Sequence, residues 1–217
     1  MSNYREVEEE IRKLNPDVTL VAVSKTHPYE SVIEAYKEGA RVFGENRVQE
    51  AALKFQSKES DMSLYLIGQL QSNKVKKAVA LFDRIESVDS IALLDKIDKE
   101  AQKINKVQDI LFEFNSSGEE NKSGFKSESE LYEAVKHLNS LKNVKLQGLM
   151  TVGPLGGDKN KNRMAFLRTK ALFDEINEEY PLTVLSMGMS GDYEEAIECG
   201  STEVRIGTAI FGARDYR

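Results

Sequence analysis

Eight short segments rich in apolar and β-branched residues, each but the last followed by a stretch of helical periodicity, alternate along the 217 residues of this chain. The strand-like segments are 18–23, 41–45, 63–68, 83–88, 109–115, 144–152, 183–187 and 203–206. Between them, 29–38, 47–57, 72–81, 90–104, 127–138, 160–180 and 192–199 read as helices, with Gly39, Pro181 and Gly200 as stop signals. Strict alternation implies a parallel sheet with right-handed crossovers, and eight such units close as a (β/α)8 TIM-type barrel of the α/β class. Such barrels take about 250 residues, so this length fits a compact version forming one domain over residues 1–217. An amphipathic helix at 3–14, with Val7, Ile11 and Leu14 on one side, precedes the first strand and is expected to pack as a lid or cap. An open doubly wound sheet is the alternative, but no G-x-G-x-x-G follows the first strand.

Composition narrows the function classes. Net charge is −6, with acids and bases interspersed rather than gathered into a basic face, which argues against nucleic acid as a partner and favours a monomer. There is no apolar run of about 18 residues, and the amino terminus is charged where a signal peptide would be apolar, so a cytoplasmic protein without membrane contact is expected. One cysteine, Cys199, and two histidines, His27 and His137, exclude an intrachain disulfide and histidine-rich metal catalysis.

The first strand, VTLVAV, ends on Lys25, and Pro28 opens the next segment. Strand carboxyl ends form the active face of a barrel. A lysine held there against an apolar interior has its ammonium form disfavoured, which frees the amine for a Schiff base. By itself a strand-ending lysine is far more often solvated than catalytic, so the case rests on what converges with it. SMGMSGD places Ser190 and Gly191 at a strand-to-helix turn after the seventh strand, and RIGTAIFG places Gly207 and Thr208 at another after the eighth. Backbone N–H groups, helix dipoles and two hydroxyls make these turns a phosphate cradle, in the position where many barrels bind phosphate. An amine on the first strand facing that cradle across the mouth describes a ligand with an aldehyde at one end and a phosphate at the other, the layout of pyridoxal 5′-phosphate (PLP).

The motifs LVAVSKTHP, FGENRVQE, IGQLQSNK, NKSGF, GLMTVGP and LSMGMSGDYEEAIECGSTEVRIGTAIFGAR closely resemble the YggS/PROSC family of pyridoxal phosphate homeostasis proteins, which is related to the barrel domain of alanine racemase. The resemblance spans nearly the whole chain. It implies that Lys25 carries the cofactor as a Schiff base, that Asn46 lies near the ring, that Ser190, Gly207 and Thr208 hold the phosphate, and that Arg205 approaches the pyridine nitrogen. Tyr65 and Gln69 depart from the family's usual His and Pro, which bears on that loop's part in cofactor transfer.

Other readings stand beside these. Asn46 is equally suited to capping a helix that starts at Arg47. An arginine between Val204 and Ile206 requires an inward partner. His27 shapes the turn before Pro28, Cys199 is a small buried hydrophobe, and Met150, Met187 and Met189 are as readily packing as ligand contacts. The function expected is a carrier that holds, buffers or delivers PLP to PLP-requiring apo-enzymes. A racemase of the alanine racemase type is the alternative, because that enzyme also has an arginine at the ring nitrogen. It takes a second base from a further domain, which this chain, ending at Arg217, is expected to lack. A Schiff-base aldolase is a third reading, without the resemblance.

Overall fold

The computed structural model describes residues 2–213; Tyr216, to which the sequence assigns no role, lies outside them. Eight parallel strands close into a barrel in chain order: β1 Thr19–Val23, β2 Val42–Glu45, β3 Ser63–Leu66, β4 Arg84–Val88, β5 Gln108–Glu113, β6 Val144–Met150, β7 Val184–Ser186 and β8 Glu203–Ile206. Each expected strand is present. Pairing of β1 with both β2 and β8, Ala22 opposite Phe43 and Val21 opposite Arg205, completes the circle. The helices are α1 Tyr4–Leu14, α2 Tyr29–Lys37, α3 Val48–Lys54, α4 Val75–Leu81, α5 Ile91–Gln102, α6 Glu128–His137, α7 Lys159–Glu179, α8 Tyr193–Glu198 and α9 Thr208–Phe211. Ser90, Ser127 and Asp158 cap α5, α6 and α7 by accepting N–H groups of Leu93, Glu130 and Lys161.

Two features differ from the sequence expectation. The helix expected at 72–81 opens with a 3-10 turn, Ser72–Lys74, before α4. More consequentially, α1 is not a lid. It lies on the barrel's flank against α8, α9 and β1, with Tyr4, Val7 and Ile11 buried, and the Arg5 N–H reaches Glu38 beyond α2. The reason is α9, a single turn too short to cover the seam between β8 and β1. The helix before β1 fills the eighth place in the outer ring.

Alternation along each strand separates two interiors. Leu20, Ala22, Phe43, Leu64, Leu66, Val204 and Ile206 face outward into the apolar cluster beneath the helices. Their neighbours Val21, Val23, Gly44, Tyr65, Glu203 and Arg205 therefore face inward. That inner space is polar, where barrels of this class mostly hold branched apolar residues. The Arg84 guanidinium donates to Glu86 Oε1 through Nε (3.1 Å) and Nη2 (2.7 Å), pairs also with Glu203, and lies 3.8 Å above the Tyr65 ring. Gly44, paired with Tyr65, is tightly enclosed: a Cβ on it would lie 3.0 Å from Val21 and 3.2 Å from Ile67.

Burial, reinforced by the charge of Glu86 and opposed by Arg84, pushes the Glu203 carboxyl from 4.5 up to about 8. A carboxyl whose pKa is raised on folding stabilises fully below its unfolded pKa, and that contribution is lost as pH rises through the folded value. Apoprotein stability is therefore expected to fall between about pH 5 and pH 8 on account of this group, and Glu203→Gln should flatten that part of the profile. Urea midpoints at a series of pH values measure both; an unchanged slope in the variant would contradict the assignment.

Candidate functional site

β1 runs out at Val23, and because Val21 and Val23 face inward the same alternation turns Lys25 toward the barrel mouth. The turn that follows is held from outside the barrel. Thr26 adopts a left-handed backbone, φ 66°, which costs a β-branched residue of order 1–3 kcal/mol. Its N–H donates to Glu50 Oε1 at 2.5 Å. Lys54 Nζ binds that same carboxylate (3.2 Å), the Ser24 carbonyl (2.7 Å) and Glu45 Oε1 (2.7 Å), while the Ser24 hydroxyl donates to Glu45 Oε1 at 2.7 Å. Burial pushes the Glu45 carboxyl up, against the opposing pull of Lys54. Two carboxylates bridged by one lysine thus brace the backbone on either side of Lys25.

A cavity of about 390 Å³ opens at the mouth, lined by all seven residues the sequence singled out: Lys25, Asn46, Ser190, Gly191, Arg205, Gly207 and Thr208. The volume lies in the range of small-molecule sites. The layout differs from the expected one in a single respect. Because the barrel closes, β8 is the neighbour of β1, so the lysine and the glycine turns stand side by side along one cavity and do not face each other across the mouth. α8 and α9 are only six and four residues long, so helix dipoles add little here. The turns instead offer N–H groups: among the described residues, those of Ser190, Gly191 and Thr208 donate to no backbone carbonyl. Met189 N–H donates to Asp192 Oδ1 at 2.7 Å, which tightens the first turn. Asn46 does not cap α3, whose N-cap is Arg47; its Oδ1 is buried and accepts no hydrogen bond.

Arg205 is 4% exposed, and its inward partners are neutral oxygens. Nη1 donates to Ser186 Oγ at 2.7 Å and Nη2 to the Thr151 carbonyl at 2.8 Å. Ser186 in turn donates to Glu86 Oε2 at 2.9 Å, so the guanidinium at the mouth is tied to the Arg84–Glu86–Glu203 cluster below. Among the described residues no carboxylate forms an ion pair with it.

Sequence reasoning missed Glu50, Lys54 and Glu86, which touch the site only through Thr26, Ser24 and Ser186. It also missed the His27–Phe211 stack, 5.3 Å between centroids, although His27 does close the turn before Pro28 through its N–H to the Ser24 carbonyl. Tyr65 lies within β3 against Arg84, not in the following loop, whereas Gln69 lies at the mouth. Met150 and Met187 are packed away, Met189 lines the cavity, and Cys199 is buried beside the end of α8. No group of acids, cysteine and histidine among the described residues could hold a metal ion, and no described helix is long and apolar enough to cross a membrane.

Lys54→Ala should leave Glu45 buried without its charge partner and lower the unfolding free energy by about 3–5 kcal/mol. Lys54→Met combined with Glu45→Gln, which removes both charges, should recover most of the loss. Urea denaturation of the three proteins checks this, and a double variant no more stable than the single one would show that the ion pair is not what the turn depends on.

The sequence profile of the family described as "Alanine racemase, N-terminal domain" matches residues 1–215. A pyridoxal phosphate homeostasis protein of Synechocystis is 43% identical over 217 residues, 98% of each chain, and one of Aquifex aeolicus is 45% identical over 200 residues, 91% of this chain and 87% of its own. Among solved structures, PipY of Synechococcus elongatus with PLP bound superposes with a TM-score of 0.88 at 37% identity, covering 97% of this chain and all of that one. Alanine racemase of Clostridium difficile, at 17% identity and a TM-score of 0.78 over 95% of this chain and 55% of its own, shares the fold. Matched nearly end to end by that profile and by these relatives, the chain belongs to the alanine racemase N-terminal domain family and, within it, to the pyridoxal phosphate homeostasis proteins.

Proposed function

We propose that the chain holds PLP in the mouth cavity, bonded through its aldehyde to Lys25, and takes part in PLP homeostasis by buffering the cofactor or delivering it to PLP-requiring apo-enzymes, without strong amino-acid turnover. The observation that carries the reading is the single cavity joining a half-buried lysine to two turns with uncommitted N–H groups. The residues fit the cofactor: the buried Asn46 Oδ1 calls for a donor from a ligand, and Gly207, where a Cβ would come within 3.2 Å of the Val23 carbonyl, keeps its turn close to β1. The PLP-bound PipY relative supports the same reading.

When bound, PLP supplies an aldehyde that captures amines and a ring that draws electron density from them. Lys25 supplies the amine, Ser190, Gly191, Gly207 and Thr208 hold the phosphate through N–H and hydroxyl donors, and Asn46 accepts from a polar group on the ring. Arg205, a fixed positive charge braced by Ser186 and Thr151, disfavours a proton on the ring nitrogen. An unprotonated ring withdraws electrons less strongly, which suits storage better than carbanion chemistry. The whole chain then acts as one cofactor-binding domain, monomeric and cytoplasmic, with no nucleic-acid or membrane partner.

Borohydride treatment of the protein mixed with PLP should fix a phosphopyridoxyl mass on one peptide, the one containing Lys25. A label found chiefly elsewhere would overturn the assignment.

Carrier and racemase separate at removal of the α-proton. Incubation of the PLP-loaded protein with L-alanine, L-serine or L-glutamate in deuterium oxide should give little exchange at Cα and no D-isomer, because racemisation needs a second base opposite Lys25 and neither a tyrosine nor a carboxylate is among the described residues that line the cavity. Exchange at about 1 per second or faster, within the ordinary range of enzymes, would establish catalysis instead.

A further inference from the structure

A second concavity of about 680 Å³ lies beside the cofactor cavity on the β2–β3 side of the mouth, and Asn46 lines both. Its polar walls are Asn46, Arg47, Gln49, Gln69, Gln71 and Lys74, and no carboxylate lines it. In a chain whose Asp and Glu outnumber Lys and Arg by 36 to 30, a wall built only of cations and amides is a local reversal of charge. Among the described residues neither Arg47 nor Lys74 enters a salt bridge, whereas Lys54, the last residue of α3, is committed to two carboxylates. A third cavity, of about 660 Å³, adjoins it through the shared Gln69 and differs in charge, mixing Asp89, Glu113 and Glu130 with Lys122 and Lys126. Close backbone contact keeps the second concavity joined to the first. Gly68 passes so near Asn46 that a Cβ on it would lie 2.4 Å from the Asn46 carbonyl oxygen.

Two cations and several amide donors around one hollow match an oxyanion, which accepts charge-assisted hydrogen bonds from guanidinium, ammonium and amide N–H alike. We propose that the hollow between the ends of β2 and β3 is an anion site that takes the carboxylate or phosphate of a small ligand next to the cofactor cavity. Two sources share this chemistry. One is the α-carboxylate of an amino acid whose amine competes with Lys25 for the cofactor's aldehyde; the other is a phosphate monoester entering or leaving the cavity. Either gives the site a part in loading and release, a purpose that rests on the cofactor reading above, although anion binding itself does not.

The test uses protein loaded with PLP and reduced with borohydride, so that the phosphate cradle is occupied. Side-chain amide signals of Gln49, Gln69 and Gln71 are followed by NMR while inorganic phosphate or L-alanine is added. Saturable shifts with one or both probes are expected, with affinity weakened about 10-fold or more in the Arg47→Gln, Lys74→Gln double variant. Saturation by phosphate alone assigns the site to the monoester, and saturation by L-alanine alone assigns it to the carboxylate. Absence of saturable shifts, or equal affinity in the double variant, overturns the inference. Failure of the initial borohydride labelling would instead strike the cofactor reading, and phosphate titration of the unlabelled variant pair would still decide the anion site.

Discussion

A positive charge buried inside the barrel organises this structure. Placing Arg205 on an inward strand position carries a desolvation cost of several kcal/mol unless its donors are satisfied. The chain meets that cost with neutral oxygens, Ser186 Oγ and the Thr151 carbonyl, and keeps the compensating carboxylate one step away, at Glu86. A carboxylate in direct contact would neutralise the guanidinium as seen from the cavity. Held by a hydroxyl and a carbonyl, it keeps its full charge toward whatever occupies the mouth. The polar inner layer follows from this choice: Glu86 needs Arg84, and Arg84 lies on Tyr65.

The bracing of Lys25 follows the same logic from outside the barrel. The left-handed Thr26, next to Lys25, would relax if nothing held its N–H. Glu50 holds it, Lys54 holds Glu50, and Lys54 is fixed in turn by Glu45 and the Ser24 carbonyl. Two rigid supports, one inside and one outside the sheet, therefore converge on neighbouring strands β1 and β8.

The parts of this arrangement that were legible in the sequence are those written in local pattern. Alternating strand and helix periodicities implied the closed barrel, and the glycine turns after the seventh and eighth strands pointed to the cavity lining. The supports were not legible, because Lys54 reads as an ordinary helix residue and Glu86 as one charge in a strand until folding brings them to Ser24 and Ser186. The place of α1 was hidden for a related reason: an amphipathic helix announces that it has a buried face, but not which surface buries it. Adjacency of Lys25 to the glycine turns depends on closure between the first and last strands, which no local stretch encodes. Asn46 shows the opposite limit. Its position before a helix suggested a cap, and only the start of α3 at Val48 separates that duty from the buried, unsatisfied oxygen it in fact presents.

The order in which the ring closes has a consequence for biosynthesis. β1 carries Lys25 but remains an edge strand until β8 pairs with it, and α1 finds its place only when α8 and α9 exist, the Asn3 N–H binding the Ile210 carbonyl at 3.0 Å. Contacts between the two ends of a chain are the slowest kind to form, since loop closure must precede any reward from them. A nascent chain on the ribosome thus exposes its lysine with neither Arg205 nor either glycine turn beside it. On the proposed assignment, reactive aldehyde would meet an ordinary surface amine at that stage, and capture at Lys25 would await closure of the ring.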